Sequence, residues 1–201
     1  MMNKSLSLLT KALPIATSLL LMSGCVVHIS TASANIEQQQ QLSLSAAQLQ
    51  QLDIEAEAGS LKVIGSNTAT EITVDATIYT AKADDPYILT LEQKGDKAVL
   101  VAKNESASGM VVYQGSSPSI DLVVTVPNSF NLDIEDGSGD IDINGVLGNM
   151  DIDDGSGSIN IEQGHDLEID DGSGDIYLQN ITGNIEISDG SGSITAKNVA
   201  G

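Results

Sequence analysis

One phrase occurs four times in the C-terminal third of the chain: LDIEDGSGDIDI at residues 132–143, MDIDDGSGSINI at 150–161, LEIDDGSGDIYL at 167–178 and IEISDGSGSITA at 185–196. The Asp-Gly-Ser-Gly at the centre of each phrase starts 18, 17 and 18 residues after the one before it. A fixed period of this length is typical of repeat folds, in which each unit buries its apolar face against the next. The repeat therefore decides the fold that the sequence predicts.

Within each phrase apolar and acidic residues alternate. In the first copy, Leu132 and Ile134 fall on one side of a strand, and Asp133 and Glu135 fall on the other. Alternation with a period of two predicts a half-buried strand, and Asp-Gly-Ser-Gly supplies a sharp turn between two such strands. Each repeat is therefore predicted to run strand, corner, strand, corner.

Two arrangements of these strands fit the pattern. One is a ladder of antiparallel hairpins, and the other is a parallel β-solenoid with one strand-turn-strand-turn coil per 17–18 residues. The solenoid is favoured because stacked coils bring like residues back in register, whereas hairpins place unlike neighbours side by side. The predicted fold class is all-β, with an irregular β-rich N-terminal part that continues into the parallel β-solenoid.

The N-terminus has the layout of an exported protein. In residues 1–24 two lysines precede an apolar run that small residues follow, as in a secretory signal peptide. The string Leu-Met-Ser-Gly-Cys at residues 21–25 resembles the lipobox of bacterial lipoproteins, in which the signal is cut before a cysteine that becomes lipid-modified. The resemblance implies a lipid anchor on Cys25 and, because Val26 follows it rather than aspartate, the outer membrane of a Gram-negative bacterium. An ordinary signal peptide with an unmodified thiol is the alternative.

Composition divides the rest of the chain. Residues 25–46 are predicted to be the lipidated cysteine and a flexible tether, because they are rich in Ser, Thr, Ala and Gln and lack periodicity. Residues 47–130 are predicted to be a β-rich N-terminal part, and residues 131–201 the four-repeat acidic β-solenoid. In the N-terminal part, strands are predicted at 52–58, 61–64, 70–79, 87–92, 98–101, 110–113 and 120–126.

The charge of the chain excludes several classes of partner and activity. The sequence has 28 acidic and 8 basic residues, all of the latter lysine, and a net charge of −20. Nucleic acid is excluded as an expected partner because phosphate binding needs a basic face. The charge also argues against a β-helix enzyme that acts on acidic polysaccharides, because such an enzyme would need basic side chains to hold the carboxylates of its substrate. Because the carboxylates recur as copies rather than as one distinctive pair, we expect no catalytic residues.

Parallel stacking of the repeats would place acidic residues in columns on one side of the molecule. Equivalent residues would lie about 4.8 Å apart, where two like charges repel by about 0.9 kcal/mol in water. Divalent cations such as Ca²⁺ between the carboxylates would offset this repulsion. Alternatively, the turn aspartates accept backbone N–H bonds and water screens the remaining charge. The candidate cation-binding or contact face consists of Asp136, Asp154, Asp171, Asp189, Asp140, Asp175, Glu135, Asp153 and Asp170.

The order of parts resembles the bacterial putative-adhesin family, an envelope domain of unknown function. The resemblance rests on Gly-Ser-Leu-Lys-Val at residues 59–63, Val-Thr-Val-Pro at 124–127, and Gly-Ser-Gly-Asp-Ile at 137–141 and 172–176. It implies a β-solenoid or rolled sheet in an envelope protein, and it offers no catalytic residues.

These observations predict a non-enzymatic envelope lipoprotein whose acidic solenoid is an adhesin-like binding or structural surface. Its ligand would be an envelope protein or a polysaccharide, and its contact with the membrane would be the lipid on Cys25. The alternatives are a cation-stabilised accessory of envelope stress signalling and a β-helix carbohydrate-active enzyme. Because the repeats reach Gly201 without a polar cap, either the last coil meets a partner, for example a second copy, or the sequence is cut short.

Overall fold

A computed structural model describes residues 36–80, 82–104 and 118–200. These residues form fifteen β-strands and no helix, which confirms the all-β class. The strands are β1 Ile36–Ser45, β2 Gln51–Ala56, β3 Leu61–Ser66, β4 Glu71–Thr80, β5 Tyr87–Lys94, β6 Lys97–Asn104, β7 Ser119–Pro127, β8 Asn131–Asp136, β9 Ile141–Asn144, β10 Met150–Asp154, β11 Ile159–Gly164, β12 Leu167–Asp171, β13 Ile176–Ile181, β14 Ile185–Asp189 and β15 Ile194–Lys197.

The strands form two mixed sheets. The eight-stranded sheet has the order β1-β4-β7-β3-β9-β11-β13-β15, and the seven-stranded sheet has the order β14-β12-β10-β8-β2-β6-β5. The antiparallel pairs are β1 with β4, β4 with β7, and β5 with β6, and all of them lie at the end of the sheets away from the repeats. The other neighbours pair in parallel.

The four repeats contribute one strand each to each sheet, and like residues pair with like. Strands β8, β10, β12 and β14 are parallel neighbours, so that Ile134, Ile152, Ile169 and Ile187 lie side by side. Strands β9, β11, β13 and β15 repeat this arrangement in the other sheet. The ladder of antiparallel hairpins is therefore excluded for the repeats.

The stretch before the repeats follows the same register. Strand β2 pairs in parallel with β8, which places Ile54 beside Ile134, and β3 pairs in parallel with β9, which places Leu61 beside Ile141. The turn between β2 and β3 also stacks on the first repeat, since the Gly59 N–H donates to the Ser138 carbonyl at 3.1 Å. Residues 51–66 thus act as a degenerate copy of the repeat within the part predicted to be irregular.

The predicted tether is partly wrong. Ten of its residues, Ile36–Ser45, form β1, which runs antiparallel to β4 from the Ile36–Thr80 pair to the Ser45–Glu71 pair. The sequence gives little sign of this strand because glutamine and serine have weak strand preference. The strand is stabilised by pairing with β4 and by packing of Leu42 and Leu44 against the core.

Most of the strands predicted in residues 52–126 are confirmed to within three residues at either end. The predicted strand at 110–113, the signal peptide and Cys25 lie outside the described residues. No helix in the described part of the chain is long and apolar enough to cross a membrane.

The inward side chains of both sheets form one hydrophobic core. In the first three repeats the core positions are at most 3% exposed, as for Leu132, Ile152 and Ile176. In the fourth repeat Ile185 and Ile187 are half-buried, and the side chain of Ile194 is 50% exposed. Burial of the core therefore depends on having a repeat on either side, as expected for stacked units.

The Asp-Gly-Ser-Gly corners stack as closely as the strands do. The N–H of the second glycine donates to the serine carbonyl of the next repeat, at 2.9 Å from Gly139 to Ser156 and at 3.0 Å from Gly157 to Ser173. A Cβ on Gly174 would overlap the carbonyl oxygen of Gly157. Glycine is therefore needed at this position because the backbones of successive corners approach each other directly.

We predict that Gly174→Ala lowers the free energy of unfolding by about 2–4 kcal/mol, because the new methyl group forces two corners apart. The φ of Gly174 lies outside the left-handed region, so the loss reports stacking alone. Urea denaturation measures it.

The matched control is Gly164→Ala, where the new Cβ would meet movable side-chain ends rather than backbone, Leu167 Cδ2 at 3.2 Å and Ile181 Cδ1 and Met150 Cε at 3.4 Å. We expect this control to cost less than about 1 kcal/mol. Equal losses in the two variants would contradict the stacking explanation.

Candidate functional site

The outer face of the seven-stranded sheet carries two rows of carboxylates, which we call the outer acidic columns. Each follows from the strand register, because outward residues at one position of the repeat lie next to each other across parallel strands. The first column is Asp53, Asp133, Asp151, Glu168 and Glu186. The second is Glu55, Glu135, Asp153 and Asp170, and it ends at Ser188.

Two lysines of β6 neutralise one end of these columns. Lys97 forms an ion pair with Asp53, and Lys103 Nζ lies 2.5 Å from Glu55 Oε2. The hydrogen bond to the carboxylate is the main cause of the raised pKa of each lysine. Because both lysines are largely exposed, these pairs contribute little to stability. These ion pairs neutralise the carboxylates of β2, so the unbalanced negative charge of this face lies on the repeats.

Asp133 shows the effect of this crowding on a carboxylate. Partial burial raises the pKa of Asp133, and the neighbouring charges of Asp53 and Asp151 raise it further. Both neighbours belong to the same column, one on each side. Repulsion between like charges in the first column therefore acts on a partly buried carboxylate as well as on solvent-exposed ones.

The turn aspartates Asp136, Asp154, Asp171 and Asp189 do not lie on this face, which corrects the predicted position. Asp136 is 5% exposed, and Asp154 and Asp171 are each 1% exposed. Asp189, in the last repeat, is half-buried. The physical reason is the two-residue period of a strand, which puts each turn aspartate on the same inward side as the isoleucine two positions earlier.

The buried turn aspartates are only partly hydrogen-bonded. Asp154 Oδ1 accepts the Ser156 N–H at 3.2 Å, and Asp171 Oδ1 accepts the Ser173 N–H at 2.9 Å. The Oδ2 atoms of both residues, and both carboxyl oxygens of Asp136, are buried without a partner. A buried carboxylate without partners is costly, which favours the neutral acid.

The pKa values follow from this burial. Burial raises the pKa of Asp136 and Asp154 to about 6. It also raises the pKa of Asp171, against the opposing effect of the Ser173 N–H. The charge of Asp136 raises the pKa of Asp154 further, because the two carboxyl groups belong to adjacent strands.

Asp140 and Asp175, also assigned to the candidate face, have a different role. Asp140 Oδ1 accepts the N–H of Ser158 at 2.9 Å, and Asp175 Oδ1 accepts the N–H of Ser193 at 3.0 Å. Each aspartate therefore links its own corner to the serine one repeat further along. This explains why aspartate and serine alternate at this position of the repeat.

A groove of about 480 Å³ runs beside the first outer acidic column. On its other side is a ladder at the second corner, Asn131, Asn149, Asp166 and Asn184, in which each side-chain oxygen accepts the N–H of the next member at 2.8–3.4 Å. His165, next to this ladder, is more than half exposed and lies 3.3 Å from Asp166 Oδ2. The groove offers carboxylates and amides along the full height of the repeats.

The nine candidate residues thus separate into three groups. Glu135, Asp153 and Asp170 are brought together on the outer face, the turn aspartates lie inside, and Asp140 and Asp175 link the corners. The candidate face did not include the first outer acidic column, and Asp53 and Glu55 were not expected to extend the columns of the repeats. The segment Leu-Asp-Ile-Glu at residues 52–55, identical to residues 132–135, was the available signal.

A preformed metal centre is not seen in the described ranges. No group of three or more histidine, cysteine, aspartate or glutamate side chains is arranged there to hold a metal ion. The outer acidic columns are rows of separate carboxylates rather than a cage.

Comparison with solved structures finds one of similar fold, whose name refers to adhesion, and weaker matches. A putative cell adhesion protein from Clostridium sporogenes superposes with a TM-score of 0.53 at 10% identity, over 81% of this chain and 98% of that one. A putative adhesin from Bacteroides fragilis has a TM-score of 0.35 at 12% identity, over 81% and 94% of the two chains. A putative lipid binding protein from Parabacteroides distasonis has a TM-score of 0.30 at 14% identity, with the same coverage. Only the first similarity is high enough to support the fold. No family model and no curated protein matches this chain.

We predict that the protein becomes more stable as the pH falls from about 7 to about 4. The pKa of Asp136 and Asp154 is about 6 in the folded state and about 3.9 in an unfolded chain. The folded state therefore binds more protons over this range, and stability is lost again as the pH rises through 6. Two shifts of this size correspond to about 5 kcal/mol, which screening by solvent reduces to the order of 3 kcal/mol. Urea denaturation at each pH measures the gain.

The variant Asp136→Asn/Asp154→Asn/Asp171→Asn should be more stable than the wild type at pH 7 and should lose most of this pH dependence. The matched control, Glu135→Gln/Asp153→Asn/Asp170→Asn, removes the same number of charges from the adjacent outward positions. This control should keep the pH dependence of the unfolding free energy, and its own effect on stability should decrease in high salt. A wild type that loses stability between pH 7 and pH 5 would contradict the explanation.

Proposed function

We propose that this chain is a non-enzymatic lipoprotein of the bacterial envelope whose repeats form an acidic, adhesin-like binding surface. The single observation that carries the proposal is the pair of outer acidic columns, a regular charged face beside an open groove. Such a surface suits recognition of an extended ligand, since it repeats one set of contacts along its length. It is unsuited to catalysis, because every carboxylate has near-identical neighbours.

The proposal includes a β-solenoid for residues 51–66 and 131–197. Support comes from the parallel pairing of equivalent residues in both sheets and from the stacking of the corners between them. In this description one repeat is one coil, and the antiparallel strands β1, β4 and β5 cover the N-terminal end. Covered ends are a general requirement of stacked-repeat folds.

The proposal also includes an anchor in the membrane. Its support is the sequence alone, a signal-peptide pattern that ends at Cys25. Lipid on this cysteine would hold the acidic face at the outer membrane of a Gram-negative bacterium, where an envelope protein or a polysaccharide is the ligand. Names of structural neighbours that refer to adhesion are consistent with this location.

Divalent cations are a second element of the proposal. The observation that favours them is the excess of nine carboxylates over two lysines in the outer acidic columns. Ca²⁺ accepts oxygen ligands in flexible geometry, so it could bridge neighbouring carboxylates or join them to an acidic polysaccharide. In this form the protein would be a cation-stabilised accessory of the envelope, with a role in stress signalling as the alternative to adhesion.

We predict that Ca²⁺ raises the melting temperature by several degrees more than NaCl at equal ionic strength. The variant Asp151→Asn/Asp153→Asn/Glu168→Gln/Asp170→Asn should abolish this extra rise, because it removes carboxylates from the outer acidic columns. The control Glu71→Gln/Asp84→Asn/Glu92→Gln/Asp96→Asn removes the same charge elsewhere and should retain this extra rise. Identical melting shifts in CaCl₂ and NaCl would refute cation binding.

Attachment tests the main proposal. A strain without the gene should attach less well to surfaces, and the wild type or the control variant should restore attachment. The variant of the outer acidic columns should not restore it, and neither should Cys25→Ser, which removes the proposed lipid site. If loss of the gene changes only an envelope-stress reporter and leaves attachment intact, the adhesin function is wrong and the accessory function is favoured.

A further inference from the structure

The outer face of the eight-stranded sheet has a different chemistry from the acidic face. A shallow groove of about 270 Å³ crosses strands β9, β11, β13 and β15. It is lined by three amides, a hydroxyl group, one aromatic ring and three charged side chains, two of them acidic and one basic. The parallel register sets these side chains in two rows, one containing Asn160, Tyr177 and Thr195 and the other Glu162, Gln179 and Lys197.

The charges around this groove nearly cancel. Asp142 Oδ2 lies 3.3 Å from Lys62 Nζ, and Glu162 Oε2 accepts a hydrogen bond from Asn144 at 2.8 Å. Lys197 stands in the same row as Glu162 and supplies a second positive charge. Asp175, which accepts a hydrogen bond from Tyr177, leaves one negative charge, so the strip is nearly neutral in a chain of net charge −20.

Several polar groups of the strip are available to a ligand. In the described part of the chain, no hydrogen bond engages the side chains of Asn160, Gln179 or Thr195. The two amides each offer a donor and an acceptor, and the hydroxyl group offers both as well. A ligand that fits these groups must itself carry closely spaced donors and acceptors.

Tyr177 gives the strip an apolar surface of fixed orientation. Its side chain is among the large exposed hydrophobic groups, at 44% exposure, and its hydroxyl group donates to Asp175 Oδ2 at 3.2 Å. The charge of Asp175 raises the pKa of the phenol, so the ring stays neutral at physiological pH. The hydrogen bond directs the ring toward Asp175, with Asn160 beside Tyr177 on the neighbouring strand and Gln179 two residues further along the same strand.

We propose that this strip, which we call the amide face, binds a neutral polysaccharide. A sugar ring has a hydroxyl-rich edge for Asn160 and Gln179 and an apolar face for the ring of Tyr177. In general, a small number of polar groups around an apolar surface orient a bound ligand. The open groove runs across four parallel strands, so the ligand would be a chain that lies along the stack of repeats.

Charge and geometry disfavour the other occupants. An anionic polymer would be repelled by the net charge of the molecule, and a cationic one would bind the outer acidic columns on the opposite sheet. A peptide strand would pair with the backbone at a sheet edge rather than lie on a sheet face. The inference extends the proposed binding function by naming a ligand class, and it uses a surface separate from the acidic face.

The test is affinity electrophoresis of the full chain in native gels that contain dextran, mannan, galactomannan or xyloglucan, with alginate as the anionic comparison. At least one neutral polymer should retard the protein, and alginate should not. Tyr177→Ala and Asn160→Ala/Gln179→Ala should each weaken the retarding interaction by about tenfold, the factor that 1.4 kcal/mol represents. Thermal melting followed by circular dichroism verifies that the variants are folded.

The matched control is Glu71→Gln/Asp84→Asn, which removes two carboxylates outside both proposed binding surfaces and should bind the polymer as the wild type does. The inference is overturned if no neutral polymer retards the protein, if the folded Tyr177→Ala variant is retarded like the wild type, or if the control variant alone loses retardation.

Failure of this inference can be distinguished from failure of the proposed function. If Tyr177→Ala attaches normally while the variant of the outer acidic columns does not, the acidic face carries attachment and the amide face does not contribute. If removal of the gene leaves attachment unchanged while the gels still show binding, the polysaccharide site stands and the adhesin function is wrong.

Discussion

Backbone hydrogen bonds between successive Asp-Gly-Ser-Gly corners are the constraint on which the rest of this structure depends. The N–H of Gly139 reaches the carbonyl of Ser156 at 2.9 Å, and the same bond recurs in the following repeats. Only a residue without a Cβ permits this approach, as the backbone next to Gly174 shows. Because the corners are fixed one above another, the strands between them must pair in parallel and in register. Each position of the repeat thereby becomes a column.

Each column places side chains of one chemical type next to each other. Inward aliphatic columns build one continuous core, which becomes exposed only at the last repeat, as at Ile194. Outward acidic columns bring like charges to about 4.8 Å. Burial is the larger cause of the raised pKa of Asp133, and the charges of its column neighbours raise it further. The turn aspartates show the most costly case, with unpartnered carboxyl oxygens stacked inside the fold. A proton on such a group relieves the cost, which couples the stability of the repeats to pH.

The same register gives the two sheets different outer faces. On the seven-stranded sheet, Asp151, Asp153, Glu168 and Asp170 make an acidic surface beside the larger groove. On the eight-stranded sheet, Asn160, Tyr177 and Gln179 make a surface of amides and one ring, where the few charges of both signs nearly balance. A single chain thus presents two repetitive surfaces of different charge, one on each sheet. Repetition suits both of them to extended ligands rather than to small molecules held in a closed cavity.

The sequence by itself determined the all-β class, the repeat boundaries and the parallel register favoured for residues 132–196, because a strict period leaves few ways to stack like residues. Tertiary structure decided the rest. Strand β1 forms because it pairs with the edge of β4. Residues 51–66 pair in register with the first repeat although their turn lacks Asp-Gly-Ser-Gly. The turn aspartates point inward and Asp53 and Glu55 extend the outer columns, since the side on which a residue lies depends on strand phase and pairing across the sheet.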